Sequence, residues 1–267
     1  MSGGRLTTRF GILGPLEAWR DGQPVELGGP RLRLLLALLL VNAGQVVPSA
    51  SLIDGLWGES APAGAANALQ ALVSRVRAAL GPELVESRAG GYRLVAAADA
   101  VDGERFERLL AEGRAALAAG DPGRAAELLR AGLALWRGES LADLGQPDVL
   151  RAEIARLEAL RLDATCDRIE AELVRGAHAG LVAELEALVA AHPLNERLRG
   201  LLMRALYVSG RPADALAAYE RARTVLREEL GVDPAPELQR LHVADLRRDG
   251  SWTPRRPRCP RPTCARS

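Results

Sequence analysis

Residues 67–80, NALQALVSRVRAAL, constrain this chain most, because their apolar pattern fixes both a helix and the side of it that is buried. The apolar positions recur at the spacing of one helical face: Leu69, Leu72, Val73, Val76 and Leu80. The opposite face carries no acid, only Asn67, Gln70, Ala71, Ser74, Arg77 and Ala78. Solvated helix faces usually mix charges of both signs. The pattern therefore indicates a helix whose outer face meets a partner.

Strand and turn signals surround this helix. TRFGILG and LEAWR read as strands, and Asp21-Gly22 reads as a hairpin turn before PVEL. Pro30 suits the first position of a buried helix over 30–42, and Ser49 suits the N-cap of a short second helix. After the third helix, LVES, RAGG and YRLV predict a hairpin. Strands, three helices and a closing hairpin are the order of a winged helix.

The acid-free face has the chemistry of a major-groove reader. Amides and arginines read base edges in the major groove, which accepts one α-helix. Asn67 and Gln70 can each bond adenine through both donor and acceptor, while Ser74 suits a base or a phosphate. Arg77 suits guanine or phosphate, and Arg75, about 100° from the centre of the face, suits phosphate. Phosphates would repel an acid on this face, which explains why none is there.

Four further arginines are candidate DNA contacts. Arg31 and Arg33 lie in the first turn of a predicted helix, where positive charge opposes the helix dipole. A nearby phosphate would reverse that sign, so we expect backbone contacts. Arg88 and Arg93 flank the wing turn and either touch DNA or form a plain hairpin surface.

The rest of the chain reads as helices and a tail. Gly176 and Gly210 each end a helix and lie 34 residues apart, the period of tetratricopeptide repeats. We therefore predict an α+β winged-helix domain over 1–98, followed by an all-α tetratricopeptide-like helical repeat domain over 99–250. Residues 251–267 carry Pro and Arg without apolar periodicity and are expected to be disordered.

Composition excludes several classes of protein. Every one of the 35 basic residues is arginine, so a phosphate loop ending in Gly-Lys-Ser/Thr cannot exist. The histidines stand apart without metal-ligand spacing, and Cys259 and Cys264 lack a second pair for zinc. We expect no catalytic residues, cofactor or metal. No apolar run approaches the ~20 residues of a membrane span, and three cysteines fit a reduced compartment. We expect a cytoplasmic protein without membrane contact.

Several segments of the chain resemble a known family. RLRLLLALLLVNAGQVVPSASLIDGLWG, NALQALVSRVRAALG and GGYRL resemble the OmpR-type winged helix. RFGILGPLEAW, VDGERFERLLAEGRAAL and ALVAAHPLNERLRGLLMRALYVSGRPADALAAYERAR resemble the bacterial transcriptional activator domain. Together, over about 9–246, they resemble the Streptomyces antibiotic regulatory protein family. The resemblance implies an activator that binds direct repeats in double-stranded promoter DNA, recruits RNA polymerase holoenzyme, associates with itself on DNA and controls a secondary-metabolite cluster.

Two departures and two alternatives accompany the resemblance. The chain has Arg31-Leu32-Arg33 where members commonly have Lys-Gln-Arg, and Ala89-Gly90-Gly91-Tyr92 where they have Pro-Pro-Gly-Tyr. The extra glycine predicts a more flexible wing tip. The chain resembles the short form of the family, without an NTPase or receiver domain. The alternatives are a repressor that uses the same DNA contacts and a protein-binding adaptor without sequence-specific DNA binding.

Overall fold

The computed structural model describes residues 8–97, 99–145, 147–178 and 180–247. The segment predicted to be disordered, 251–267, lies outside the described residues. The chain divides into two compact units, Met1–Leu110 with Ala131–Leu162, and Ala111–Arg130 with Asp163–Ser267. The first unit thus includes residues on both sides of the boundary that we placed at 98/99.

The first unit opens with a three-stranded antiparallel sheet. Strands β1 (Thr8–Gly11), β2 (Glu17–Arg20) and β3 (Gln23–Pro24) are adjacent in that order. Asp21 and Gly22 form the turn between β2 and β3 with φ values of 51° and 79°. Both residues tolerate positive φ, which confirms the turn that Asp-Gly predicted.

Three helices follow this sheet, and each buries an apolar face. They are α1 (Pro30–Leu40), α2 (Ser49–Trp57) and α3 (Ala65–Leu80). Pro30 occupies the first turn of α1 after an N-cap at Gly29, as predicted. The N-cap predicted at Ser49 is wrong, because Pro48 holds that position and Ser49 is already helical. The helix starts directly from a strand, which leaves no loop residue to cap it.

The wing is a second three-stranded sheet in the order β4-β6-β5. The strands β5 (Val85–Arg88) and β6 (Gly91–Leu94) form the predicted hairpin, with Glu86 opposite Arg93. The third strand, β4 (Val46–Pro48), pairs with β6 and was missed in the sequence. It has three residues and ends in proline, so it exists only through its pairing with β6.

Residues after the wing hold the loop between β1 and β2 within the same unit. The Asp102 carboxylate accepts hydrogen bonds from the backbone N–H of Ile12 (2.7 Å) and of Leu13 (3.3 Å). The Asp143 carboxylate accepts one from the N–H of Leu16 (2.6 Å). The turn between β1 and β2 therefore depends on carboxylates that lie well beyond the wing in sequence.

The remainder of the chain is helical, as predicted. Helices α4 (Asp102–Ala118), α5 (Pro122–Leu133) and α6 (Asp148–Val174) each pass from one compact unit to the other. The second unit continues with four helices: α7 (Leu181–Ala191), α8 (Glu196–Val208), α9 (Pro212–Leu230) and α10 (Pro236–Arg247). This order, winged helix and then paired helices, is the predicted α+β domain followed by an all-α tetratricopeptide-like domain.

The helical region confirms the predicted helix ends and also contains a buried cysteine. Gly176 and Gly210 follow α6 and α8 with φ values of 79° and 76°, so each terminates a helix. Cys166 is buried in α6, where burial raises the pKa of its thiol to about 11. Such a thiol is inert at neutral pH. In the described part of the chain, no helix combines the length and apolar character needed to cross a bilayer.

Candidate nucleic-acid interface

Helix α3 presents the polar face that the sequence predicted. Its buried residues are Leu69, Leu72, Val73, Val76 and Leu80. Its exposed residues include Asn67, Gln70, Ala71, Ser74 and Arg75. The first turn of α3 has no acidic residue and no side-chain cap, so the exposed polar side chains there have no negative charge on the same turn. This surface favours an anionic partner.

Arg31 and Arg75 are exposed, and neither forms an ion pair with any acid among the described residues. Arg75 lies next to the loop that precedes α1, since a Cβ built at Gly28 would lie 3.2 Å from its Nη2 atom. Arg31 lies in the first turn of α1, and Arg75 lies on α3. Since neither guanidinium group is paired among the described residues, both are available to phosphates.

Arg33, in contrast, is held by protein groups. Its Nε donates to Asp143 Oδ2 at 2.9 Å, its Nη2 donates to the carbonyl oxygen of Leu16 at 2.8 Å, and Nη2 also pairs with Asp143. Nη1 bonds no group among the described residues. The predicted phosphate contact at Arg33 would therefore have to use Nη1 or displace Asp143.

Arg77 is also held, at the opposite edge of α3 from Arg75. Its Nε donates to the carbonyl oxygen of Val85 at 2.8 Å, and its Nη2 donates to Ser87 Oγ at 3.0 Å. Both partners lie on β5. The side chain that the sequence assigned to guanine or phosphate thus joins α3 to the wing.

The two wing arginines share one acid. Glu86 pairs with Arg88 and with Arg93, whose Nη2 lies 2.6 Å from Glu86 Oε2. The hydrogen bond from Arg93, and to a smaller extent the one from Arg88, holds the pKa of the Glu86 carboxyl below its usual range. Since side chains alternate along β5, this cluster lies on the face of the hairpin opposite Ser87. The wing therefore carries less free positive charge than its arginines suggest.

The structure thus separates the nine predicted residues into two groups. Asn67, Gln70, Ser74, Arg75 and Arg31 are exposed and bond no side-chain partner among the described residues, while Arg33, Arg77, Arg88 and Arg93 have protein partners. Sequence reasoning missed the partners Asp143, Glu86 and Ser87. The cross-strand position of Glu86 follows from a two-residue turn, so the hairpin pattern could have revealed it. Asp143 is 110 residues from Arg33, and no local pattern connects them.

Comparison with known families agrees with this architecture. Residues 22–94 match the family described as "Transcriptional regulatory protein, C terminal". Residues 101–244 match the "Bacterial transcriptional activator domain". The first match contains α1, α2, α3 and the wing, and the second contains α4 to α9 and most of α10.

Individual relatives are regulators. Regulatory protein AfsR of Streptomyces coelicolor is 46% identical over 242 residues, which are 90% of this chain and 24% of AfsR. Regulatory protein DnrI of Streptomyces peucetius is 39% identical over 252 residues, which are 90% of this chain and 93% of DnrI. The chain therefore spans about a quarter of AfsR and nearly all of DnrI.

A solved structure shares the fold. It is Mycobacterium tuberculosis EmbR in complex with a low-affinity phosphopeptide, with a TM-score of 0.87 and 36% sequence identity. The similarity covers 91% of this chain and 66% of that one. The two family matches describe transcriptional regulators rather than enzymes, and the relatives named above are regulatory proteins. The chain belongs to the Streptomyces antibiotic regulatory protein family of transcriptional regulators.

Proposed function

We propose that this regulator binds promoter DNA by placing α3 in the major groove. The observation that carries the proposal is the exposed face of α3, which has amides and a hydroxyl at its centre and no acid. Of the two arginines at its edges, Arg75 pairs with no acid in the part of the chain that the structure describes, and Arg77 is bound to the wing. A helix of this composition complements the donors and acceptors of base edges and the phosphates beside them.

Each exposed residue has a distinct role in this proposal. Asn67 and Gln70 bond base edges through their amides, and Ser74 bonds a base or a phosphate. Arg75 and Arg31 neutralise phosphates on the same side of α3, which makes affinity salt-dependent. The contacts fix the orientation of α3 on the duplex, and the amides supply the sequence preference.

The arginines that are paired with acids can contact phosphates only in competition with those acids or through a nitrogen that the acid leaves free. Arg88 ends β5 just before the wing turn and can reach a phosphate only in competition with Glu86. Arg93 is held by the same acid. Arg33 offers Nη1 alone while Asp143 remains bound. Phosphates carry enough negative charge to compete with exposed ion pairs, because such pairs contribute only about 0–1 kcal/mol in water.

The helical region serves protein contacts in this proposal. Residues 101–250 contain 21 arginines and 26 acids, a balance that keeps this region away from phosphates. We assign DNA binding to 1–98, and self-association and recruitment of RNA polymerase holoenzyme to 99–250. The chain would bind direct repeats in the cytoplasm and activate a secondary-metabolite gene cluster, in keeping with its membership of an antibiotic regulatory family.

Reconstituted transcription tests this function. The template carries, upstream of a promoter, the DNA element that the wild-type protein enriches from a random pool. We expect wild-type protein to increase the transcript. Gln70→Glu should lower specific affinity by at least about tenfold, because it places a carboxylate beside phosphates and removes an amide donor. Its transcript level should fall toward that without regulator.

Gln23→Glu is the matched control, since it makes the same chemical change at an exposed residue of β3 in the other sheet. It should behave as wild type. A decrease of transcript by the wild-type protein would identify a repressor. Equal activity of Gln70→Glu and wild type, with both proteins folded, would contradict groove reading by α3.

A further inference from the structure

Arg77 lies where the recognition helix meets the wing. It is in the last turn of α3, and its side chain is half-buried against β5. Two nitrogens of the planar guanidinium donate to two acceptors on that strand, the carbonyl oxygen of Val85 at 2.8 Å and Ser87 Oγ at 3.0 Å. A two-point contact of this kind fixes orientation as well as distance.

The partners of Arg77 explain why the contact forms. β5 is an edge strand of the β4-β6-β5 sheet, so acceptors on its outer side have no neighbouring strand. Arg77 Nε satisfies the Val85 carbonyl there. Val85 itself is 1% exposed, so an unpaired carbonyl at this point would carry a desolvation cost. An arginine of α3 thus bonds an acceptor that has no partner strand at the edge of the wing.

We propose that Arg77 is a positioning residue that sets the angle and spacing between α3 and the wing, and that it does not read a base. This inference rests on the proposed groove binding by α3. A helix in the major groove and a hairpin at the neighbouring backbone must contact one duplex together. The hydrogen bonds of Arg77 fix α3 and the wing relative to each other before DNA binds, which lowers the entropic cost of association.

Three roles for Arg77 predict different binding data. A base-reading arginine discriminates at one base pair, so its removal relaxes the preference there. A phosphate-contacting arginine releases counterions, so its removal reduces the slope of log affinity against log salt by about 0.9. Removal of a positioning residue lowers affinity for every duplex alike. It leaves both the base preferences and the salt slope unchanged.

The test measures the DNA affinity of full-length wild type, Arg77→Ala, Arg77→Lys and Ser87→Ala. Each protein is titrated with the duplex that wild type enriches most and with single-base variants of that duplex. Titrations at several salt concentrations give the slopes. We expect Arg77→Ala to lose about 3- to 10-fold in affinity for all duplexes. Arg77→Lys keeps the charge but not the two-point contact, so it should not restore affinity. Ser87→Ala removes one acceptor without a charge change and should show part of the same uniform loss.

Controls separate this inference from the proposed function. Arg124→Ala removes an arginine that is exposed on α5, and it should retain wild-type affinity. Hydroxyl-radical footprints should show that Arg77→Ala keeps protection by α3 and loses protection by the wing. Relaxed preference at one base pair, a smaller salt slope, or unchanged affinity of a folded Arg77→Ala would each overturn the positioning role. If wild type enriches no sequence at all, the groove-binding proposal itself fails.

Discussion

Asp102→Ala is expected to lower the free energy of unfolding by about 3–5 kcal/mol, because two buried backbone donors would lose their acceptor. The donors belong to Ile12 and Leu13, which are 4% and 0% exposed. The carboxylate also accepts from Arg137 Nη2 at 3.1 Å. Urea denaturation followed by circular dichroism measures the change.

Two other variants at carboxylates separate this effect from loss of charge. Burial raises the pKa of the Asp102 carboxyl, although the bonds from Ile12, Arg137 and Leu13 favour its ionised form. Asp102→Asn keeps an acceptor oxygen and should therefore cost less than Asp102→Ala. Asp163→Ala removes a half-exposed carboxylate that pairs with Arg114 on the surface, and it should cost less than about 1 kcal/mol. Equal losses for Asp102→Ala and Asp163→Ala would show that the bonds to β1 and its turn contribute little.

Gly91→Ala is expected to cost about 2–4 kcal/mol and to reduce DNA affinity together with stability. A Cβ built at Gly91 would overlap the carbonyl oxygen of Val47 and lie 2.9 Å from its carbonyl carbon. These are backbone atoms of β4 and cannot move without loss of the β4–β6 pairing. Thermal unfolding and DNA titration of the variant measure both effects.

The neighbouring glycine provides the control. Gly90 has φ of 79° in the wing turn, and a Cβ there meets no atom within 4 Å. Gly90→Ala should therefore cost only the strain of a left-handed alanine, about 1 kcal/mol. If Gly91→Ala is no more destabilising than Gly90→Ala, β4 does not constrain the wing as described. Gly90, the extra glycine relative to other family members, lies in the turn, and the predicted flexibility of the wing tip stays a prediction. Gly91 instead allows β4 and β6 to approach each other.

The parts of the fold with local causes could be predicted. The apolar spacing of residues 67–80 gave the buried face of α3 correctly, and Asp21-Gly22 and Gly210 marked a turn and a helix end. These signals depend on residues within one helical turn or one hairpin. The strand Val46–Pro48 has no such signal, because its pairing partner β6 lies more than forty residues later in the chain.

The availability of the arginines could not be predicted in the same way. The sequence identifies Arg33 and Arg75 as equivalent cations near a helix surface, yet Asp143 binds the first and no described acid binds the second. The difference arises from tertiary contacts over 110 residues. Composition therefore predicts which chemistry a surface can have, whereas packing decides which of its groups are free.

Selection of bound duplexes from a random DNA pool at physiological salt tests the central claim most directly. Full-length wild type and Gln70→Glu are taken through the same rounds, and the retained DNA is sequenced. We predict that wild type enriches a short element repeated in one orientation and that Gln70→Glu does not. Failure of the folded wild-type protein to enrich any sequence would contradict the claim that α3 reads DNA, and would favour a protein-binding adaptor.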